Sequence, residues 1–488
     1  MSEPREPLRN IIVAGGGQLG VLTALALKRA VPMAQVTVVG TPPDPNALAD
    51  RLGTALPFTN RLHDRLGVDE AVLVSEAGAS HRLLMRTTGF TAGHEGFAAY
   101  GALPETKLRS RFAREWGGGS RSGSAQQTVG SLAEALVASG RFRPPGPGES
   151  TPLAEVDYAL RWNVGAYRSL LIGRAQKMGV QYVEGEVASL EADADGTVSA
   201  IGLTGGQVLG AELFVDCSGT RGALVSRLPR LEWNDWSAYL PVRAVVLERP
   251  GRGVLALEDH AAMTEEGWVV GHAARDGHQR ILGVRDSADP AQAADVLGGS
   301  APVAVVPLSP GAMATPWQGN VVALGDAAAR FEPLGFLNLD LAHRQLDLLL
   351  ELLPGREVDA RERGEFNRRA ELMAEGVRDT LGLYYAALEA ERVYGRLERS
   401  PALENLLDQY ARRGRIPHSE EGALMNEEIV SLLAALGIEG GEIPVSRAEG
   451  AQGMHAAQGA FAAKVDAALA ASPPYAEWLQ SVLAPAPG

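Results

Sequence analysis

The residues of this chain best spaced for chemistry are three glycines. Gly15, Gly17 and Gly20 stand in G-x-G-x-x-G spacing directly after the apolar run Asn10–Ala14. In that pattern the first glycine allows a tight turn out of a strand. The second lets backbone approach a pyrophosphate, and the third lets the next helix pack close to the strand. The helix N-terminus then offers unpaired N–H groups to an anion. A second turn of the same kind, Gly325-Asp326-Ala327-Ala328, closes the apolar run Asn320–Leu324, and a third segment, Asp216 to Gly222, follows the run Leu213–Val215. One position breaks the pattern. The run Gln35–Val39 should end in an acid that binds ribose hydroxyls, yet it ends in Gly40-Thr41. Losing one charge-assisted hydrogen bond costs about 1.5–3 kcal/mol, roughly ten- to a hundredfold in affinity.

Other chemistry-bearing residues are more dispersed. The nine histidines lack zinc-site spacing, and no metal is expected. Cys217, at a buried strand end, reads as inert core. Asp340 and His343 read as plain surface residues, and the acids and bases of Arg356 to Arg369 as a solvated helix face.

The elements that must position the glycines follow from pattern. Residues 9 to 40 read as strand, helix, strand, the helix Val21 to Ala30 ending before Pro32. A helix is expected over Val164 to Met178, then strands at Tyr182–Val187 and Leu213–Cys217. Several β-like runs fill Asp235 to Val284, and the chain is helical in character beyond Phe336. Trp116–Ser124 and Pro144–Pro152 read as loops, and Gly450–Ala471 as a loosely packed helix. The expected fold is α/β: a Rossmann-like, FAD/NAD(P)-binding domain over 1–230, completed by 320–350. A β-rich substrate domain is inserted at 231–319, and a helical region covers 351–488.

Composition bounds the function. With 488 residues and 45% hydrophobic content the chain can bury a large core. A formal net charge of −14 argues against nucleic acid and anionic membranes as partners. One cysteine, a polar Met1–Arg9 and no apolar run of membrane length fit a reducing cytoplasm. The run Leu346 to Leu353 is broken by Asp347 and Glu351.

The order of these motifs resembles the flavin-dependent tryptophan halogenases, a flavin monooxygenase-like family, from about Leu8 to Arg447. The phrases that carry the likeness are Gly15–Gly20 with Thr23–Arg29, Arg65–Asp69, Val180–Val187, Phe214–Gly222 and Gly267-Trp268. They continue with Gly325–Ala328, Phe331–Leu334, Phe366–Arg368 and Arg413–Pro417. The resemblance implies FAD, reduced by a separate flavin reductase, with cofactor contacts at Gly15, Gly17, Gln18, Leu19, Gly20, Val187, Gly325 and Asp326. It implies a small aromatic substrate, and a homodimer or heteromer is open. In that family reduced FAD, oxygen and halide give hypohalous acid, which reaches a lysine beside the substrate, helped by a glutamate.

This chain departs from that pattern at the residues that react. The lysine position, after Gly78-Ala79-Ser80-His81, is Arg82, the one candidate catalytic residue. A guanidinium stays protonated and is a poor nucleophile. The glutamate position after Pro333-Leu334 is Gly335, and Glu332 belongs to the family's preceding acidic position. Of the W-x-W-x-I-P signature only Trp268 remains, and of the loop G-x-G-E-A-T-x-P the segment Leu52–Pro57 keeps the proline and lacks the acid. Three readings follow. The first is an FAD-dependent oxidoreductase, a divergent halogenase or monooxygenase on an aromatic substrate. The second is an inactive relative or partner subunit with weak or no FAD binding. The third is a binder of another ligand in the inherited pocket.

Overall fold

The computed structural model describes residues 6–101, 130–194, 196–285, 293, 295–299, 302–441 and 451–484. The expected Gly/Ser-rich loop Trp116–Ser124 lies outside them. The strand Asn10–Ala14 is buried on both faces and forms the centre of a six-stranded sheet. The order is Trp317–Gln318, Val321–Ala323, Leu213–Asp216, Asn10–Ala14, Gln35–Val39, Gln181–Val183. All pairings are parallel except the first, as apolar strands joined through crossover helices require. The late strand Val321–Ala323 thus completes the sheet that the N-terminus begins.

A seven-stranded sheet forms the second layer. Its order is Pro302–Pro307, Ala244–Glu248, His278–Val284, Trp268–Ala273, Glu258–Met263, Leu84–Thr88, Glu95–Ala99. The last two strands come from within 1–230, so that stretch supplies both sheets. Leu84–Thr88 runs parallel to Glu258–Met263, a pairing between segments more than 170 residues apart that local pattern does not reveal. One continuous core joins the layers, with Val13, Leu22, Val245 and Trp268 in the same cluster.

Helices cover both sheets. Asn338–Glu351 packs on Gln18–Ala30 and on Ala360–Tyr385, so its polar residues Asp340 and His343 are buried rather than exposed as their types suggested. The helix Asn426–Ala435 lies on Glu95–Ala99, where a Cβ at Gly96 would overlap Ala435. Tyr475–Leu483 docks on the short strand Ser80–Arg82: the Tyr475 hydroxyl accepts the His81 backbone N–H at 2.8 Å and bonds His81 Nδ1 at 2.8 Å. Among the described residues, no helix is long and apolar enough to cross a membrane.

Candidate functional site

The glycine-rich turn has the geometry its spacing implies. Gly15 lies at φ +130°, and a Cβ there would overlap the Cys217 backbone. A Cβ at Gly20 would overlap the Gly15 carbonyl, so the third glycine sets how close the helix approaches. Gly17 caps the helix Gln18–Ala30 without any side-chain cap of its own. The first turn therefore needs an acceptor from elsewhere.

Asp50 supplies it. Its carboxylate accepts the Leu19 N–H at 3.0 Å, from a residue 31 positions away. A Cβ on Gly17 would overlap that carboxylate, so Asp50 lies in the space the second glycine leaves open. Burial pushes the Asp50 carboxyl up to about 6, against the bond from Leu19. Gln18 clamps the same segment: its Nε2 donates to the carbonyls of Ala49 (2.8 Å) and Leu52 (3.1 Å), while its Oε1 accepts from Trp162 Nε1 (2.9 Å).

Asp326, in the Gly-Asp turn, closes the opposite side. Its carboxylate accepts the N–H groups of Leu48 (3.1 Å) and Ala49 (2.9 Å). Burial raises it to about 7, and the charges of Asp50 and Asp44 add to that. Gly325, at φ +63°, donates its N–H to Gln345 Oε1 at 2.9 Å. Asp216 folds inward instead, accepting from Ser218, Leu224 and Val225. At the end of Gln35–Val39 the Tyr182 ring lies against Gly40, so that a Cβ there would overlap it. Arg168 bonds the Tyr182 hydroxyl (2.8 Å) and the Gly16 carbonyl. Val187 opens a strand of a separate three-stranded sheet and is buried with Ile12, Ala14 and Val39.

The second centre lies where the two sheets and the C-terminal helices meet. Arg82 is fully buried, 0% exposed. Its guanidinium donates to Asp259 Oδ2 (2.8 Å) and to the Ala55 carbonyl (2.9 Å). It sits between the rings of Tyr100 and Phe336, 5.2 and 5.1 Å from their centroids. Arg161, on the paired strand Ala159–Arg161, takes the other Asp259 oxygen at 3.0 Å. Burial alone would raise the Asp259 carboxyl; the two guanidiniums hold it below its ordinary value. Burial likewise opposes the charge on Arg82, but Tyr100 and Asp259 hold that group above its ordinary value. The trio carries one net positive charge in the core. Arg82 Nε, Arg161 Nε and the nearby His272 Nε2 have no hydrogen-bond partner among the described residues.

Gly335 stands beside this trio at φ +76°, and a Cβ there would sit 3.3 Å from the Tyr384 hydroxyl. Phe336 follows at φ +59°, a left-handed conformation costly for an aromatic residue. Its packing on Arg82 and edge-on against His272 holds it there. Between Gly335, Tyr100, Tyr384, Met85, Leu337 and Glu428 a cavity of about 30 Å³ remains. That is about a tenth of the smallest typical ligand pocket. Trp268 is buried nearby, its Nε1 donating to the Tyr385 hydroxyl (3.0 Å), which donates to Glu332 (2.6 Å). Burial raises Glu332 to about 7. A cleft of about 340 Å³, walled by Trp233, Trp236, Tyr239 and Arg378, lies away from both centres and includes none of the positions singled out in the sequence.

The chain as a whole has counterparts among known proteins. A family model described as tryptophan halogenase matches residues 10–448. The chain belongs to the tryptophan halogenase family. Among curated relatives, tryptophan 7-halogenase KtzQ of Kutzneria sp. (strain 744) is 25% identical over 413 residues, 78% of this chain and 76% of KtzQ. Tryptophan 6-halogenase ThaL of Streptomyces albogriseolus is 23% identical over 78% of this chain and 76% of ThaL. Among solved structures, Xcc4156, a flavin-dependent halogenase from Xanthomonas campestris, superposes with a TM-score of 0.87 at 23% identity, covering 99% of this chain and 100% of that one. BrvH, a flavin-dependent halogenase from Brevundimonas sp. BAL3, gives 0.85 at 22% identity, covering 97% and 99%. The fold is thus the halogenase fold, with its Rossmann-like FAD-binding part and C-terminal helices. Flavin-dependent halogenases use FAD reduced by a separate flavin reductase, and tryptophan halogenases act on aromatic small molecules.

Against that family background the residues at the cradle do not fit a bound dinucleotide as they are arranged. The backbone prerequisites at Gly15, Gly17 and Gly20 are kept, but the space at Gly17 holds the Asp50 carboxylate, and the strand end at Gly40 holds the Tyr182 ring. Asp50, Asp259, Arg161 and Tyr182 escaped the sequence reading. For Asp50 a signal existed. Counted back from Pro57, the first glycine of the family's G-x-G-E-A-T-x-P loop falls on Asp50, and the acid falls on Gly53.

Proposed function

We propose that this chain is a non-catalytic member of the halogenase family rather than a halogenating enzyme. The observation that carries the reading is Arg82: at the lysine position stands a guanidinium fixed on Asp259 and Ala55 and enclosed by two rings. A halogenating residue must meet both oxidant and substrate, and this one is sealed from both. Gly335 brings no acid, and the cavity of about 30 Å³ beside it is about a tenth of the smallest typical ligand pocket. The single cysteine suits a reducing cytoplasm.

The test is direct. Purified chain is supplied with FAD, a flavin reductase, NADH, bromide, and a panel of tryptophan, indole and phenol substrates. The expected result, by mass spectrometry, is no brominated or hydroxylated product above a reductase-only control. Multiple turnovers by the chain alone would overturn the reading in favour of a divergent halogenase or monooxygenase.

A further inference from the structure

We infer that Asp50 is an internal occupant of the dinucleotide cradle and competes there with any pyrophosphate-bearing ligand. The helix Gln18–Ala30 has no local cap, and its Leu19 N–H is taken by the Asp50 carboxylate. A second observation points the same way: the carboxylate fills the very space that Gly17 leaves by lacking a Cβ. The segment around Asp50 is held on both sides, by Gln18 at the carbonyls of Ala49 and Leu52 and by Asp326 at the N–H groups of Leu48 and Ala49. A pyrophosphate entering this cradle would have to displace one carboxylate and then lie beside two more, Asp326 and Asp44. Arg168 is the cation facing Asp50, and its Nε and Nη2 are taken up by the Gly16 carbonyl and the Tyr182 hydroxyl. The Leu19 N–H and the space at Gly17 can serve one anion at a time, so a ligand that needs them and Asp50 exclude each other.

The ligand class is a nucleotide with a pyrophosphate, FAD or the smaller ADP. This inference concerns binding and stands apart from the absence of turnover. Full-length wild type, Asp50→Gly and Asp50→Asn are titrated with FAD, followed at the flavin absorbance band, and with ADP by calorimetry. The expected result is that Asp50→Gly binds both at least about tenfold more tightly than wild type, the scale of one charge-assisted hydrogen bond released. Asp50→Asn, which keeps an acceptor but loses the charge, falls between. Should the glycine variant fold poorly, wild type at saturating FAD gives the second reading: amide exchange at Leu48 and Ala49 must rise as their segment leaves the cradle. Equal affinities across the three proteins, or FAD binding with unchanged exchange at Leu48 and Ala49, overturns the inference. Those outcomes leave the non-catalytic reading intact, whereas halogenated product from wild type breaks that reading and leaves this one standing.

Discussion

The cradle at Gly15–Gly20 and the pocket beside Gly335 are both filled by the protein's own atoms, but by different means. At the cradle the glycine backbone is preserved, while the Asp50 carboxylate and the Tyr182 ring take the space beside it. Gly17 and Gly20 are still required sterically, and a single carboxylate on a short helix provides the anion. At the pocket the reacting side chains themselves have changed, and their replacements are built into the core. Arg82, Asp259 and Arg161 form a fully buried charged trio, and the rings of Tyr100 and Phe336 pack on its Arg82. The difference teaches that a site can be closed by substitution of a guest or by consolidation of its walls. The first rests on side chains beside an intact backbone, whereas the second is tied to the stability of the fold.

The largest expected effect lies at the consolidated site. Asp259→Ala leaves two guanidiniums unpaired in the core and should cost about 3–5 kcal/mol, read as a fall in the urea midpoint. A loss below about 1 kcal/mol would mean that the trio is not structurally committed, and the contrast with the cradle would collapse.

Next comes Gly335→Glu, which restores the family's acid. A non-glycine side chain at φ +76°, pressed toward Tyr384, should cost about 1–2 kcal/mol and return no halogenated product, even combined with Arg82→Lys. Product from the double variant would place this pocket in the same class as the cradle.

The smallest effect is a pH dependence at the cradle. Asp50 titrates at about 6 when folded and near the ordinary carboxylate value when unfolded. Between those values the folded state holds more protons, so this group's stabilising contribution is full below about pH 4 and is lost as pH rises to about 6. Buried His63 and His272, pushed down to about 4, act with the opposite sign in the same window, and Asp326 and Glu332, raised to about 7, with the same sign, so the wild-type profile sums several groups. The difference profile isolates Asp50: Asp50→Asn should gain on wild type by up to about 1.4 kcal/mol per pH unit from pH 4 to 6. A difference that is constant with pH would mean that Asp50 is not buried on the helix terminus.

The sequence was most readable where backbone sterics demand a residue type. Gly15, Gly17 and Gly20 announced the turn, and the runs Asn10–Ala14, Leu213–Asp216 and Val321–Ala323 announced buried parallel strands because their apolar character is continuous. The order of motifs then carried the family. Contacts between distant residues were not readable. Asp50 meets Leu19 across 31 positions, and Arg82 meets Asp259 across 177. Each of these residues is unremarkable in its own neighbourhood. Asp340 and His343 misled for a related reason: polar types usually mark a wet face, but here Arg344 pairs with Asp340 and Thr59 bonds His343 inside the core.

The docking of Tyr475 on His81 bears on how the molecule is made. The strand Ser80–Arg82 depends for one of its backbone partners on a hydroxyl 394 residues further along. A ribosome must therefore release residues well past Arg82, out to Tyr475, before the region around Arg82 can close. Until then, the aromatic cluster of Phe142, Tyr158 and His81 lacks the Tyr475 and Trp478 rings that pack against it in the finished protein. Such long-range closure is slow and leaves apolar surface exposed during synthesis.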